Sequence, residues 1–160
     1  MTSELKPKPV SASRVETVEL VLPNDTNPLG TMLGGRVMHL IDITGSIAAM
    51  RHARRQVVTA QMDDLSFHHP IRQGHFIILK GSVNFAGASS MEVGVKVLSE
   101  NPLTGEQVHT SSAYLTFVAV DRDGAPVDIP PLLPETEDDQ RRYEEALRRR
   151  EQRLAQRKKS

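Results

Sequence analysis

The segment from Gly34 to about Arg54 constrains this chain more than any other. Val37, Met38, Leu40, Ile41, Ile43, Ile47, Ala48, Ala49 and Met50 cover nearly the whole circumference of a helix. A helix apolar on most sides is a buried one, so the rest of the chain must wrap around it. The chain has 160 residues, which suits one domain with a tail rather than two domains.

The remaining segments supply the wrapper. Val15 to Leu22 alternates, with Val18, Leu20 and Leu22 on the face that begins at Glu16. The stretches 57–67, 75–86, 91–100 and 107–120 read as further strands. In one of them Met91, Val93, Val95 and Val97 alternate with Glu92, Gly94 and Lys96, the half-buried pattern. Segments 87–89 and 101–105 read as hairpin loops, and 70–74 as a turn connection. One strand, a long helix and four strands on short turns give an α+β domain, an antiparallel sheet curled around one central helix. Residues 1–13 are polar and Pro-containing and read as a flexible arm. The body spans 14–134 and closes on Pro130, Pro131 and Pro134; residues 135–160 form a charged, solvent-exposed helical tail with Tyr143, Leu147 and Leu154 roughly on one stripe.

Cys is absent, which excludes thiol nucleophiles, disulfides and Cys-based metal centres. No apolar run is long enough to span a bilayer, and Lys6 and Lys8 are followed by no apolar stretch of a secretory signal. The expected setting is the cytoplasm, with no membrane partner. Basic and acidic residues number 20 each, but they divide into a body at −2 and a tail at +2. A body of that sign is a poor nucleic-acid surface.

Asp42 is the first candidate for chemistry. It sits mid-helix between Ile41 and Ile43, where apolar surroundings disfavour the charged carboxylate and poise it as a base or nucleophile. The bland alternative puts His39, Asp42 and Ser46 on a wet stripe, hydrogen-bonded among themselves. The second candidate is the loop NDTNPLGTMLGG, which runs into a helix start at Gly34 and Gly35. Free N–H groups and the positive dipole end suit an oxygen that becomes an oxyanion; simple capping is the alternative. Gly30 and Gly35 have phosphate-loop spacing, but Arg36 and Val37 follow where Lys and a hydroxyl residue are required. The six His form no metal signature, so no metal is expected. Arg51, Arg54 and Arg55 complement the helix C-terminus or offer a landing patch for a phosphorylated ligand.

Four blocks, at 23–49, 57–74, 87–97 and 114–124, together resemble the hotdog-fold acyl-CoA thioesterases, of the short cytosolic acyl-CoA hydrolase type. The resemblance spans roughly Glu16 to Pro130. It implies a helix wrapped by an antiparallel sheet, pairing of two such units, and further assembly as a trimer of dimers. It also implies an acyl-CoA substrate, with coenzyme A bound as part of the substrate and no separate cofactor. By resemblance Asp42 is the catalytic acid and Asn27 the loop residue that works with it. Gly34 or Gly35 supplies the amide that polarises the thioester carbonyl, and Ser89 and Ser90 meet coenzyme A. Relatives often carry Arg or Lys just before that Ser pair, where this chain has Ala88. Phosphate contacts then fall to Arg51, Arg54, Arg55 or a neighbouring subunit.

Asp42 lies eight residues after Gly34, about 12 Å along an ideal helix axis. A base must approach to about 3 Å, so this spacing predicts a site shared across a dimer. Two other functions fit the same fold: a dehydratase using His39 beside Asp42, and a non-catalytic acyl-CoA or nucleotide sensor.

Overall fold

A computed structural model of the chain describes residues 5–63 and 65–159. A short strand β1 (Lys8–Pro9) and a 3-10 turn (Val10–Ala12) lead into β2 (Val15–Leu20). The long helix α1 (Gly34–Ala53) follows, then β3 (Gln56–Met62), β4 (Phe76–Ala86), β5 (Ser90–Glu100) and β6 (Gln107–Val120). A two-residue strand β7 (Leu132–Leu133) and the helix α2 (Glu137–Lys159) close the chain. Strands β2-β4-β5-β6-β3 form one antiparallel sheet, and β1 pairs in parallel with β7. This is the expected helix wrapped by a curled antiparallel sheet.

The concave side of the sheet holds the core. Ile77, Leu79, Val83, Met91, Val93, Val97, Leu115 and Phe117 meet Val37, Leu40, Ile41, Ala48 and Ala49 of α1, all buried. Each large apolar side chain enclosed there stabilises the fold by about 1.5–3 kcal/mol. Helix and sheet approach closely at Gly45, where a Cβ would lie 3.1 Å from the Phe117 ring, and at Gly81, where it would lie 3.2 Å from Thr44 Cγ2.

The helix is open on one side. Met38, Ile43 and Met50 are at least 40% exposed, so a single chain does not enclose α1 as its apolar circumference predicts. Strand β2 turns the apolar face of its alternation outward. Val18, Leu20 and Leu22 face outward, half-exposed, while Thr17 points inward to Thr44 Oγ1 at 3.4 Å. The register with β4, Thr17 opposite Leu79 and Val18 opposite Ile78, fixes that parity.

Residues 8–13 correct the reading of a flexible arm, whose residues 1–4 lie outside the described residues. Val10 and Ser13 are buried, and Lys8 Nζ donates to Arg51 O at 2.7 Å and His52 O at 2.8 Å. Those carbonyls belong to the last turn of α1, which needs such partners. The tail is corrected too. α2 docks on the convex face of the sheet, with Ala146 buried and Tyr143 packed on Phe85 at 5.4 Å between ring centroids. Beneath it Glu92, 1% exposed, accepts from Arg149 Nε at 2.8 Å and Nη2 at 2.9 Å, and from Asn84 Nδ2 at 3.1 Å. Arg153 bridges Glu92 and Asp63.

Candidate active site

Asp42 stands on the open side of α1, half-buried. Its Oδ1 accepts a 2.6 Å hydrogen bond from Thr59 Oγ1 on β3. Ser46 donates instead to Ile43 O at 2.8 Å, so the polar stripe is not bonded among its own members as the bland alternative supposed. Sequence reasoning missed Thr59. A single hydroxyl in a Val-rich strand carries no spacing signal toward a helix residue.

At the other end of α1 the chain enters the helix through Leu33, which offers no side-chain cap. Arg36 and Val37 N–H groups bond to Leu33 O, while the Gly34 and Gly35 amides have no backbone acceptor among the described residues. Both glycines are exposed, and a Cβ on Gly35 would meet nothing within 4 Å. The Phe67 ring lies over Gly34, with Cε2 3.5 Å from where its Cβ would be. Two free donors at the positive end of a helix can bind a carbonyl oxygen and stabilise it as charge develops.

The loop before the helix is fixed by its own chemistry. Asn27 Oδ1 accepts from the backbone N–H of Leu29 at 3.0 Å and Thr31 at 3.2 Å. Asn27 Nδ2 donates to Thr31 Oγ1 at 2.9 Å. Arg36 ties the loop to the helix, with Nε 3.1 Å from Asp25 Oδ1 and Nη2 3.3 Å from Glu19 Oε1. No hydrogen bond joins Asn27 to Asp42 among the described residues. One chain therefore carries the Asp42–Thr59 pair midway along α1 and the Gly34 and Gly35 amides at its start, behind the loop that Asn27 fixes.

The coenzyme A candidates are not brought together either. Ser90 lines a small cavity of about 110 Å³ under the end of α2, with Met91, Arg150 and Arg153. Arg51 lines a larger one of about 890 Å³ on the convex face. Arg54 caps α1 in the left-handed region at φ 52°, and Arg55 is exposed beside it; neither lines these cavities. Ser89 serves the hairpin, its carbonyl accepting from Ala119 N at 2.9 Å. Neither cavity includes Asn27, Gly34, Gly35, Asp42 or Thr59. No group of three or more metal-ligating side chains occurs among the described residues. None of the described helices is long and apolar enough to cross a membrane.

A sheet curled around one long helix is an architecture that known proteins share. The thioesterase superfamily model matches residues 29–106. An uncharacterized acyl-CoA thioester hydrolase of Bacillus subtilis is 44% identical over 137 residues, 86% of this chain and 80% of that protein. A hexameric acyl-CoA thioesterase structure superposes with a TM-score of 0.92 at 43% identity, covering 95% of this chain and 97% of that one. The Staphylococcus aureus acyl-CoA hydrolase, solved with butyryl coenzyme A and coenzyme A, superposes with a TM-score of 0.89 at 38% identity over 95% and 93% of the two chains. That enzyme has also been solved as three alanine mutants, of an asparagine, an aspartate and a threonine. Those residues are spaced fifteen and seventeen positions apart, as are Asn27, Asp42 and Thr59 here. The chain belongs to the acyl-CoA thioester hydrolases of the thioesterase superfamily, enzymes of hotdog fold.

Proposed function

We propose that this protein hydrolyses acyl-CoA to a carboxylic acid and coenzyme A, in the cytoplasm, at a site completed across a dimer interface. The observation that carries the reading is the division of α1 into two half-sites, Asp42 with Thr59 and the Gly34–Gly35 amides with Asn27. The exposed apolar residues of the open face, Met38, Ile43, Met50 and Val58, support pairing there. The unpartnered outer edge of β3 supports it as well. A second copy, related by a two-fold axis, would set Asp42 of one protomer against the helix start of its partner. Hexameric assembly of a close structural relative supports further association as a trimer of dimers.

In this reading the amides of Gly34 or Gly35 hold the thioester oxygen while Asn27 orients the substrate or the attacking water. Thr59 fixes the Asp42 carboxylate by donating to one oxygen and leaves the other for chemistry. Asp42 then accepts a proton from water as it attacks the carbonyl carbon, or attacks that carbon itself to give a mixed anhydride that water cleaves. Either route expels coenzyme A thiolate, which takes a proton. Single turnover in oxygen-18 water separates them, since only the anhydride route leaves label in Asp42. Arg51, Arg54 and Arg55, at the end of α1, remain the proposed phosphate contacts, with Ser89 and Ser90 on the hairpin. The catalytic unit spans 14–134, and the segment 135–160 carries the helix α2 that packs on it.

Free-thiol release from short, medium and long acyl-CoAs tests the function, with Asp42→Asn run alongside. Release by the wild type and loss of most of it in Asp42→Asn is the expected result. A folded, oligomeric protein that releases no thiol from any of them would refute the proposal.

A further inference from the structure

We propose that the trench between α2 and the convex face of the sheet is a binding site for a phosphate-rich anion of the pyrophosphate class, separate from the Asp42 face. The trench is the larger cavity of about 890 Å³. Its lining holds Arg14, Arg51, Lys80, Lys96, Arg141, Arg142 and Arg149 against only two carboxylates, Glu16 and Glu145.

Its floor and walls follow from the strand register. Lys80 of β4 stands directly opposite Lys96 of β5, and both are exposed. Like charges directly opposite each other destabilise a sheet, so an anion between them relieves a repulsion the fold otherwise carries. The next row toward α2 is Ser82, Gly94 and Tyr114, so the floor is low between the lysines and the helix. A Cβ at Gly94 would lie 2.7 Å from Asn84 Nδ2, so enlarging it would push Asn84 off its bond to Glu92. Arg149 forms the far wall, stacked 3.6 Å over the Tyr114 ring.

The charges that remain available are specific. Arg149 is neutralised by Glu92, Arg141 by Asp138 and Glu145, and Arg14 by Asp139. Lys80, Lys96 and Arg142 make no ion pair among the described residues, although Glu16 stands opposite Lys80 in the register. Arg51 donates to the Arg14 carbonyl at 2.5 Å and meets no carboxylate. Two ammonium groups on neighbouring strands and a guanidinium across a shallow floor match an anion with several charges on adjacent phosphates. None of the trench residues belongs to the Asp42–Thr59 or Asn27–Gly34 groups, and of the proposed coenzyme A contacts only Arg51 lines it.

Two sources offer that chemistry: the phosphates of coenzyme A, an arm that rests on the proposed function, and a free phosphorylated small molecule, which does not. Calorimetric titration with inorganic pyrophosphate at low salt tests the site on the full-length protein. The wild type binds saturably, and binding weakens as ionic strength rises. Lys80→Gln/Lys96→Gln and Arg142→Gln each weaken it at least tenfold while kcat at saturating acyl-CoA is unchanged. Repeating the titration with saturating coenzyme A assigns the source: loss of pyrophosphate binding points to coenzyme A, retention to a free ligand. Absence of saturable binding, or equal binding by wild type and variants, overturns the site. So does a wild type that binds no pyrophosphate and a double variant of lower oligomeric mass, which would give these lysines to subunit packing.

Discussion

The Thr59 hydroxyl lies 2.6 Å from Asp42 Oδ1 and joins the sheet's edge strand to the middle of the helix it wraps. The bond leaves the carboxylate one oxygen held and one free. Replacing Thr59 by Val keeps the shape and removes the donor. A hydrogen bond to a charged group is worth about 1.5–3 kcal/mol, so kcat falls about tenfold or more. Thr59→Ser restores most of it. Steady-state kinetics on the two variants, with circular dichroism to verify folding, checks this.

Arg36 reaches from the first turn of α1 to Asp25 and Glu19, two residues before Asn27 and at the end of β2. These pairs are partly exposed, so Arg36→Gln costs only about 1 kcal/mol of stability. Turnover falls further than stability does, because the loop carrying Asn27 loses its anchor to the helix start. Thermal unfolding and kcat measured on the same preparation distinguish the two effects.

Glu92 is buried under α2 with Arg149 and Arg153 as its counter-ions. Arg149→Met leaves a buried carboxylate short of a partner and destabilises by about 3 kcal/mol. Adding Glu92→Leu to that variant recovers much of the loss, since the uncompensated charge is gone. Urea denaturation of the single and double variants gives the comparison, and hydrogen exchange reports whether α2 detaches.

His52 is fully buried at the end of α1, with Nε2 donating to Pro130 O at 2.7 Å and Nδ1 unpartnered among the described residues. Burial holds its imidazole below the ordinary value of 6.5; the bond to Pro130 opposes that shift and the Lys8 charge adds to it. The unfolded chain therefore takes up a proton as pH falls through about 6.5, while the folded chain does not. His52 leaves stability at its full value above that pH and lowers it progressively below. Unfolding free energies measured between pH 7.5 and 5.5 fall for the wild type and fall less for His52→Gln.

Much of this was legible in the sequence, and the exceptions have physical causes. The apolar circumference of α1 called for a wrapper, and the alternation of β5 supplied one. Yet the same circumference overstated enclosure within one chain, because Met38, Ile43 and Met50 remain open. The alternation of β2 marked a strand but not its direction, which depends on pairing with β4. Glu92 read as a solvent-facing residue, since nothing in a strand reveals that two arginines from a distant helix will cover it. Asp42 was a candidate from its apolar flanks, the glycine pair from the helix start, and Asn27 only through the family resemblance; Thr59 became visible only when β3 folded back against α1.

The claim that two chains build each site is tested most directly by co-expressing Asp42→Ala and Asn27→Ala chains and assaying thiol release. Each variant alone is nearly inactive. In a two-fold dimer formed at random, half the dimers are mixed and one of their two sites is intact, so about a quarter of wild-type activity returns. Mixed dimers that form but release no more thiol than either variant alone would contradict the account.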